Sequence, residues 1–211
     1  MKITKFEHAC MVVQKGKSSI IIDPGAFTTP LTDVTGVVAI VITHEHADHW
    51  TPEQLKRILD RNPDARILGP GGVAAAAIDF TVEPVQEGDE LTIGGFALKF
   101  FGAKHAVIHE SITVIDNVAV LVDDDFYYAG DSFTLPGVPV NTLAVPIGAP
   151  WMKVGEVMDY VLAIAPKHAF PVHEAVLSQV GKSINGDRIE AVTKQGGGEY
   201  ITLEAGQSLD L

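Results

Sequence analysis

Val37-Val38-Ala39-Ile40-Val41-Ile42-Thr43-His44-Glu45-His46-Ala47-Asp48-His49 joins an apolar segment directly to a cluster of imidazoles and carboxylates. The first six residues are apolar and mostly β-branched, with Gly36 on one side and polar residues on the other. That pattern predicts a short strand buried on both faces. The cluster places three histidines and two acidic residues within six positions, His44 to His49. Open α/β sheets hold their chemistry outside the carboxyl ends of buried strands, which is where this cluster falls. In extended backbone His44 and His46 point to one side, and a turn then brings Asp48 and His49 toward the same volume. Neutral imidazole and carboxylate are ligands for zinc and similar divalent ions. Burying so many polar groups without partners would be costly, so packing does not explain them. The stretch predicts metal binding.

Working outward, 211 residues suit one domain spanning 1–211, and 46% hydrophobic against 20% charged residues predicts a folded core rather than disorder. The formal net charge of -12 repels phosphate backbones, so nucleic acid is a poor partner and a small molecule the better expectation. Cys10 is the only cysteine, which excludes an intramolecular disulfide and a Cys-rich zinc knuckle. No run approaches the roughly 18 apolar residues of a membrane span. Met1 to His8 has no signal-peptide apolar core, and the expectation is a soluble protein of a reducing compartment, the cytoplasm. The oligomeric state stays open, a homo-oligomer included.

Upstream of the cluster, residues 3–13 and 18–22 predict a hairpin turning at Gly16, and Ile20-Ile21-Ile22 runs into Asp23-Pro24-Gly25. His8 and Cys10 fall on the first of these strands; Cys10 reads as an inert core thiol, and His8 as either structural or a pocket-rim residue. Downstream, Thr51, Pro52 and Gln54 form a capping-box pattern ahead of the apolar face Leu55, Ile58, Leu59. Strands are predicted at 66–68, 111–116, 118–122, 126–129 and 143–147, with a Gly94-Gly95 hairpin over 90–100 and a turn at Asp116-Asn117. Helices are predicted over 71–78 and along the stripe Val154, Val157, Met158, Val161, Leu162. A polar segment at 181–186, a short helix to Gln195 and a closing strand pair over 199–211 complete the chain. His105, Asp131 and His173 each follow a strand end, whereas His168 reads as a surface or packing residue. His109 has two readings, a structural loop histidine or a group able to move a proton.

His44-x-His46-x-Asp48-His49 resembles the metal-binding signature of the metallo-β-lactamase superfamily, and His105, Asp131 and His173 fill its later motif positions in order. The resemblance implies a four-layer αββα sandwich of two mixed sheets with helices on the outer faces. It implies one metal on His44, His46 and His105, a second on Asp48, His49 and His173, and Asp131 between them. Asp23, otherwise a simple turn former, is implied to support the metal loop by hydrogen bonds. Two divalent ions are implied, zinc first, with manganese or iron as alternatives, since His44-x-His46 departs from the His-x-Glu of the di-iron oxygen reductases. Such pairs generate a hydroxide at neutral pH and stabilise the charge that develops as it attacks.

The chain looks most like the short ascorbate-phosphate-lactonase-like branch, whose members also carry a His-small residue pair at the position of His8. The implied activity is hydrolysis of a small-molecule lactone, ester or phosphodiester. Asp48, His8 and His109 are the candidates for a direct catalytic part. A phosphodiesterase or nuclease of the same fold, and a non-catalytic metal-binding or sensing protein, are the alternatives. The Thr-Pro-Gly-His of the glyoxalase II type is missing around His105, which argues against a glutathione thioester. Specificity is expected in loops near 24–36, 105–110 and 132–151.

Overall fold

The computed structural model describes residues 1–211. Its N-terminal half runs β1 (Lys2–Lys5), β2 (Met11–Lys15), β3 (Ser18–Ile22), β4 (Val37–Val41), α1 (Pro52–Arg61), β5 (Arg66–Gly69), α2 (Gly71–Ala76) and β6 (Val82–Pro84). Then come β7 (Glu90–Ile93), β8 (Phe96–Phe101), β9 (Ala119–Val122), β10 (Phe126–Tyr128) and β11 (Thr142–Pro146). The chain ends with α3 (Val154–Ile164), β12 (His168–Val172), α4 (Gln179–Gln195), β13 (Glu199–Tyr200) and β14 (Ser208–Asp210).

These strands form two sheets of seven, ordered β14-β1-β2-β3-β4-β5-β6 and β13-β12-β11-β10-β9-β8-β7. Each sheet is mixed in the same way. The first is antiparallel from β14 to β3 and parallel from β3 to β6. The second is antiparallel from β7 to β10 and parallel from β10 to β13.

Alternation along the strands produces the layers. Ile20 and Ile22 of β3 face inward with Ala39 and Val41 of β4, where they meet Phe96, Leu98, Val120, Phe126 and Phe170 of the other sheet. Ile21, Ile40 and Ile42 face outward under Leu55 and Ile58 of α1 and Val73 of α2. On the far side Leu121, Tyr127, Leu143 and Val145 are covered by Val157 and Val161 of α3 and Ile189 and Val192 of α4. The result is the αββα sandwich that the resemblance implied, and it buries apolar surface on both faces of both sheets.

Several local expectations change. Residues 3–13 are two strands, β1 and β2, and His8 sits in the bend between them rather than on a strand. Residues 111–116 form no strand and touch the ladder only through a Lys104–Asp116 bridge, because both neighbours of β9 are already in place. The 181–186 segment is the interior of α4, which begins at the Ser178 cap. The two closing strands do not pair with each other: β13 joins β12, and β14 returns to β1. Thr51 caps α1 by accepting from Gln54 N, but the Gln54 side chain does not reach back to it. Its amide instead bonds Thr28 O and Leu31 N, pinning the loop that follows β3.

Candidate metal centre

The parallel strands of both sheets end on one rim of the sandwich, and the polar cluster stands there. Beyond β4, Thr43 is fully buried and fixed from both sides: its N–H and hydroxyl donate to the two oxygens of Asp23, at 2.8 and 2.7 Å. Its carbonyl accepts from Val118 N of the other sheet, at 2.9 Å. The chain then turns, with His49 N and Trp50 N donating to His46 O. Gly25 lies against this turn so closely that a Cβ there would stand 1.8 Å from Asp48 O. No larger residue fits without displacing the loop.

Each buried imidazole is oriented by a partner on its outer nitrogen. His49 Nδ1 donates to Asp23 Oδ2 at 2.7 Å, His173 Nδ1 to Gly148 O at 2.7 Å, and His105 Nδ1 to Ala106 O at 2.5 Å. In the neutral ring the proton then sits on Nδ1, which leaves each inner nitrogen free to ligate at a common centre, the arrangement that metal-ligating histidines adopt. Asp131 sits at that centre, with Oδ1 3.3 Å from His49 Nε2 and Oδ2 3.2 Å from His173 Nε2 and 3.4 Å from His105 Nε2. On the open side His44 Nε2 lies 3.1 Å from His46 Nδ1, and His173 Nε2 lies 3.5 Å from Asp48 Oδ2. His44, His49, His105, Asp131 and His173 are buried, while His46 and Asp48 are half-buried and form the open edge.

Four buried atoms here have no hydrogen-bond partner: His49 Nε2, His105 Nε2, His173 Nε2 and Asp131 Oδ1. Orphaned polar atoms cost free energy unless something satisfies them, and all four converge on one place. Potential ligand atoms of His44, His46 and His105 lie within 4.8 Å of one another, as do those of His8, Asp48, His49 and His173 and those of His44, His49 and Asp131. The donor set fits divalent ions of the zinc type.

The electrostatics follow from this crowding. Burial holds the His44 imidazole well below its usual range, and the neighbouring His49 adds to the effect. Burial likewise lowers His46, with His105 next. Burial alone would lower His49, but the charges of Asp131 and Asp23 outweigh it and raise that ring well above the ordinary value. His173 is raised to about 9 because Asp131 and Asp48 overcome its burial. Burial works against ionisation of Asp131 and Asp48 as well, yet the surrounding imidazoles hold both carboxyls far below their usual range.

The profile of the β-lactamase superfamily domain matches residues 2–173. The chain belongs to the metallo-β-lactamase superfamily. Among its curated relatives, protein Rv0786c of Mycobacterium tuberculosis is 36% identical over 198 residues, covering 92% of this chain and 93% of the relative. A metal-dependent hydrolase of Aeropyrum pernix, of the group named UPF0173, is 29% identical over 199 residues, covering 82% of this chain and 81% of its own length. Igni18, a metallo hydrolase of Ignicoccus hospitalis, superposes with a TM-score of 0.76 at 17% identity, covering all of this chain and 98% of that one. At that identity the likeness to Igni18 speaks for the fold alone.

The superfamily fold brings seven of the nine residues singled out in the sequence into one cluster: His44, His46, Asp48, His49, His105, Asp131 and His173. His8 joins them from the β1–β2 bend, buried, with Nε2 3.1 Å from Asp48 Oδ2. His109 does not. It is exposed and its Nδ1 is engaged with the N–H and hydroxyl of Ser111, two residues along the same loop. His168, at the start of β12, is likewise away from the cluster.

Two further residues of this site carry little or no signal in the sequence. Trp151 Nε1 donates to Asp131 Oδ2 at 2.7 Å. Asn117, expected in a turn, is fully buried; its Oδ1 accepts from Asp131 N at 3.0 Å and its amide donates to Ala129 O at 2.9 Å. Trp151 stands in a Gly/Pro/Trp loop, a weak pocket signal, and Asn117 carries none.

Proposed function

We propose that the chain is a metal-dependent hydrolase of a small-molecule lactone, ester or phosphodiester, working with two divalent ions and with zinc as the first choice. The observation that carries this is the convergence of four unpartnered buried atoms, three imidazole nitrogens and one carboxylate oxygen, on a rim open to solvent at His46 and Asp48. His44, His46 and His105 would hold one ion, Asp48, His49 and His173 the other, with Asp131 shared. Ions so placed supply Lewis acidity and bring the pKa of a bound water toward neutrality.

The rest is the work of the chain's own residues. Asp23, Gly148 O and Ala106 O hold three rings in the tautomer that leaves Nε2 free to ligate. Trp151 fixes how the Asp131 carboxylate is turned, and Asn117 holds the Asp131 backbone in place. Asp48, the less buried of the two central carboxylates, reaches the open rim as an ionised carboxylate, able to ligate there and to accept a hydrogen bond from a bound water or substrate hydroxyl at its Oδ atoms. Exposure of His46 and Asp48 favours a hydrolase over a purely structural metal site, which would be closed on all sides. The acidic surface, net -12, favours a small substrate over RNA or DNA. A cytoplasmic location belongs to this proposal, in keeping with the free, buried thiol of Cys10; no helix is long and apolar enough to cross a membrane.

Elemental analysis of the purified protein, paired with hydrolysis of a panel of lactones, esters and phosphodiesters, tests the proposal. About two ions per chain and turnover abolished by chelation and restored by zinc are expected. A chain that holds no metal, with His46→Ala changing neither metal content nor activity, overturns it.

A further inference from the structure

His8 is the one histidine of the cluster that no metal position requires, yet it is almost completely buried among the groups that would hold the second ion. Its ring lies 3.9 Å from that of His173, centroid to centroid, and Phe27 closes its other side edge-on at 5.0 Å. Its backbone is equally constrained. At φ 61° it occupies the left-handed region that residues other than glycine rarely adopt, and its carbonyl accepts from His173 N at 2.8 Å. Such a conformation persists in a folded protein only where the surroundings determine it.

The two ring nitrogens have different partners. Ala175 N–H points at His8 Nδ1 across 3.3 Å. A nitrogen that faces an N–H must offer its lone pair, so the ring proton sits on Nε2. Nε2–H then donates to Asp48 Oδ2 at 3.1 Å. That same oxygen lies 3.5 Å from His173 Nε2 and 3.7 Å from His49 Nε2, so it is the one turned toward the second ion. A carboxylate oxygen has two lone pairs and serves a hydrogen bond and a metal together. A protonated ring nitrogen cannot ligate.

Resting on the metal-site reading above, we propose that His8 is a positioning residue: its Nε2–H fixes the Asp48 carboxylate for the second ion, and His8 is not itself a ligand. Ala175, on the loop that carries His173, sets the tautomer, so one loop supplies a ligand and the other side of the same ion's support.

Zinc and cobalt(II) titration of the metal-free wild type, His8→Ala and His8→Gln tests this, with thermal unfolding of each metal-free protein alongside. The glutamine amide puts an N–H close to where Nε2 stands. His8→Ala is expected to weaken one of the two ions by about 10- to 100-fold and leave the other unchanged. His8→Gln is expected to recover most of that loss with a cobalt(II) spectrum like the wild type's. A merely structural role would instead lower the unfolding temperature of both variants together and move neither affinity selectively. Wild-type affinity in His8→Ala overturns the inference. So does a His8→Gln protein that binds as weakly as His8→Ala and shows an altered cobalt(II) spectrum, the mark of a lost nitrogen ligand. Should His8→Ala not fold, His8→Gln decides alone by whether it keeps two ions with that spectrum. A wild type that takes up no metal overturns the metal-site reading and this inference with it, an outcome distinct from failure of His8 alone.

Discussion

Trp151 Nε1 and Asp131 Oδ2 stand 2.7 Å apart, a buried hydrogen bond that ties the loop after β11 to the carboxylate at the centre of the cluster. The indole also packs edge-on against Phe133 at 5.2 Å and His105 at 5.9 Å, so it restrains a candidate ligand on each side. Bonds to a charged acceptor are stronger than neutral ones, and this one fixes how Asp131 is turned between the two sets of imidazoles. Trp151→Phe keeps most of the packing and deletes the donor. Metal affinity is expected to fall about 10- to 100-fold, the usual cost of losing an outer partner of a ligand. Isothermal titration with zinc measures it. Unchanged affinity together with unchanged kcat would remove Trp151 from the site.

Asp23 offers a sharper test, because its substitution reverses a tautomer. One oxygen accepts from Thr43 N at 2.8 Å, while the other accepts from Thr43 Oγ1 and His49 Nδ1, both at 2.7 Å. In Asp23→Asn the Thr43 amide keeps an oxygen, and an NH₂ group then faces His49. His49 Nδ1 must become an acceptor, which moves the ring proton to Nε2 and withdraws that nitrogen as a ligand. The expected result is a protein that retains one ion on the His44, His46, His105 side and loses the other. Metal content after gel filtration separates the outcomes, and two retained ions would defeat the argument.

How much of this was legible beforehand depends on how local each signal is. His44 to His49 announces itself because four candidate ligands fall within six residues and follow a buried strand, and each of His105, Asp131 and His173 marks a strand end. Ile20 to Ile22 shows the layering in miniature, since neighbouring residues bury in different cores. Asn117 was not legible, because its partners Ala129 and Asp131 come from another part of the sheet. Residues 111–116 look like a strand by composition, but strand identity needs a free edge, and none is available beside β9. Gly181 and Gly186 suggested a break where α4 runs through. A Cβ at Gly186 would stand 3.3 Å from the Tyr200 hydroxyl, so there the glycine serves close packing rather than a turn.

The pH dependence of the metal-free chain is set by the same groups. His173 rises from an ordinary 6.5 to about 9 in the fold, despite burial, because Asp131 and Asp48 favour its charged form. A raised pKa stabilises the fold fully below the unfolded value, and that contribution disappears as pH climbs through the folded one. His49 shifts in the same direction. The thermal midpoint of chelator-treated protein is therefore expected to fall between pH 6.5 and about 9. Metal binding must expel those protons, so zinc affinity is expected to rise over the same interval. Calorimetry with and without zinc measures both. A metal-free midpoint that stays level or rises over this interval would contradict the assigned shifts.

Behind the site, Lys5 and Glu174 form a buried ion pair, their side chains only 1% and 7% exposed. Glu174 directly follows His173, so this pair anchors β1 to the loop that carries a candidate ligand. Ion pairs this deep are poor sources of net stability, because desolvation offsets most of the attraction, but removing one partner strands the other charge. Lys5→Met should cost about 3–5 kcal/mol, since Glu174 would be left without its counterion and its Oε2 already lacks a hydrogen-bond partner. Glu174→Leu in the same background removes the stranded charge, and the double variant should recover most of the loss. Urea unfolding of the two single variants and the double completes a mutant cycle, in which the pair is expected to show strong coupling. Additive single effects would mean that Lys5 and Glu174 stabilise the chain independently, and that the loop of His173 is held by its bonds to His8 O and Gly148 O instead.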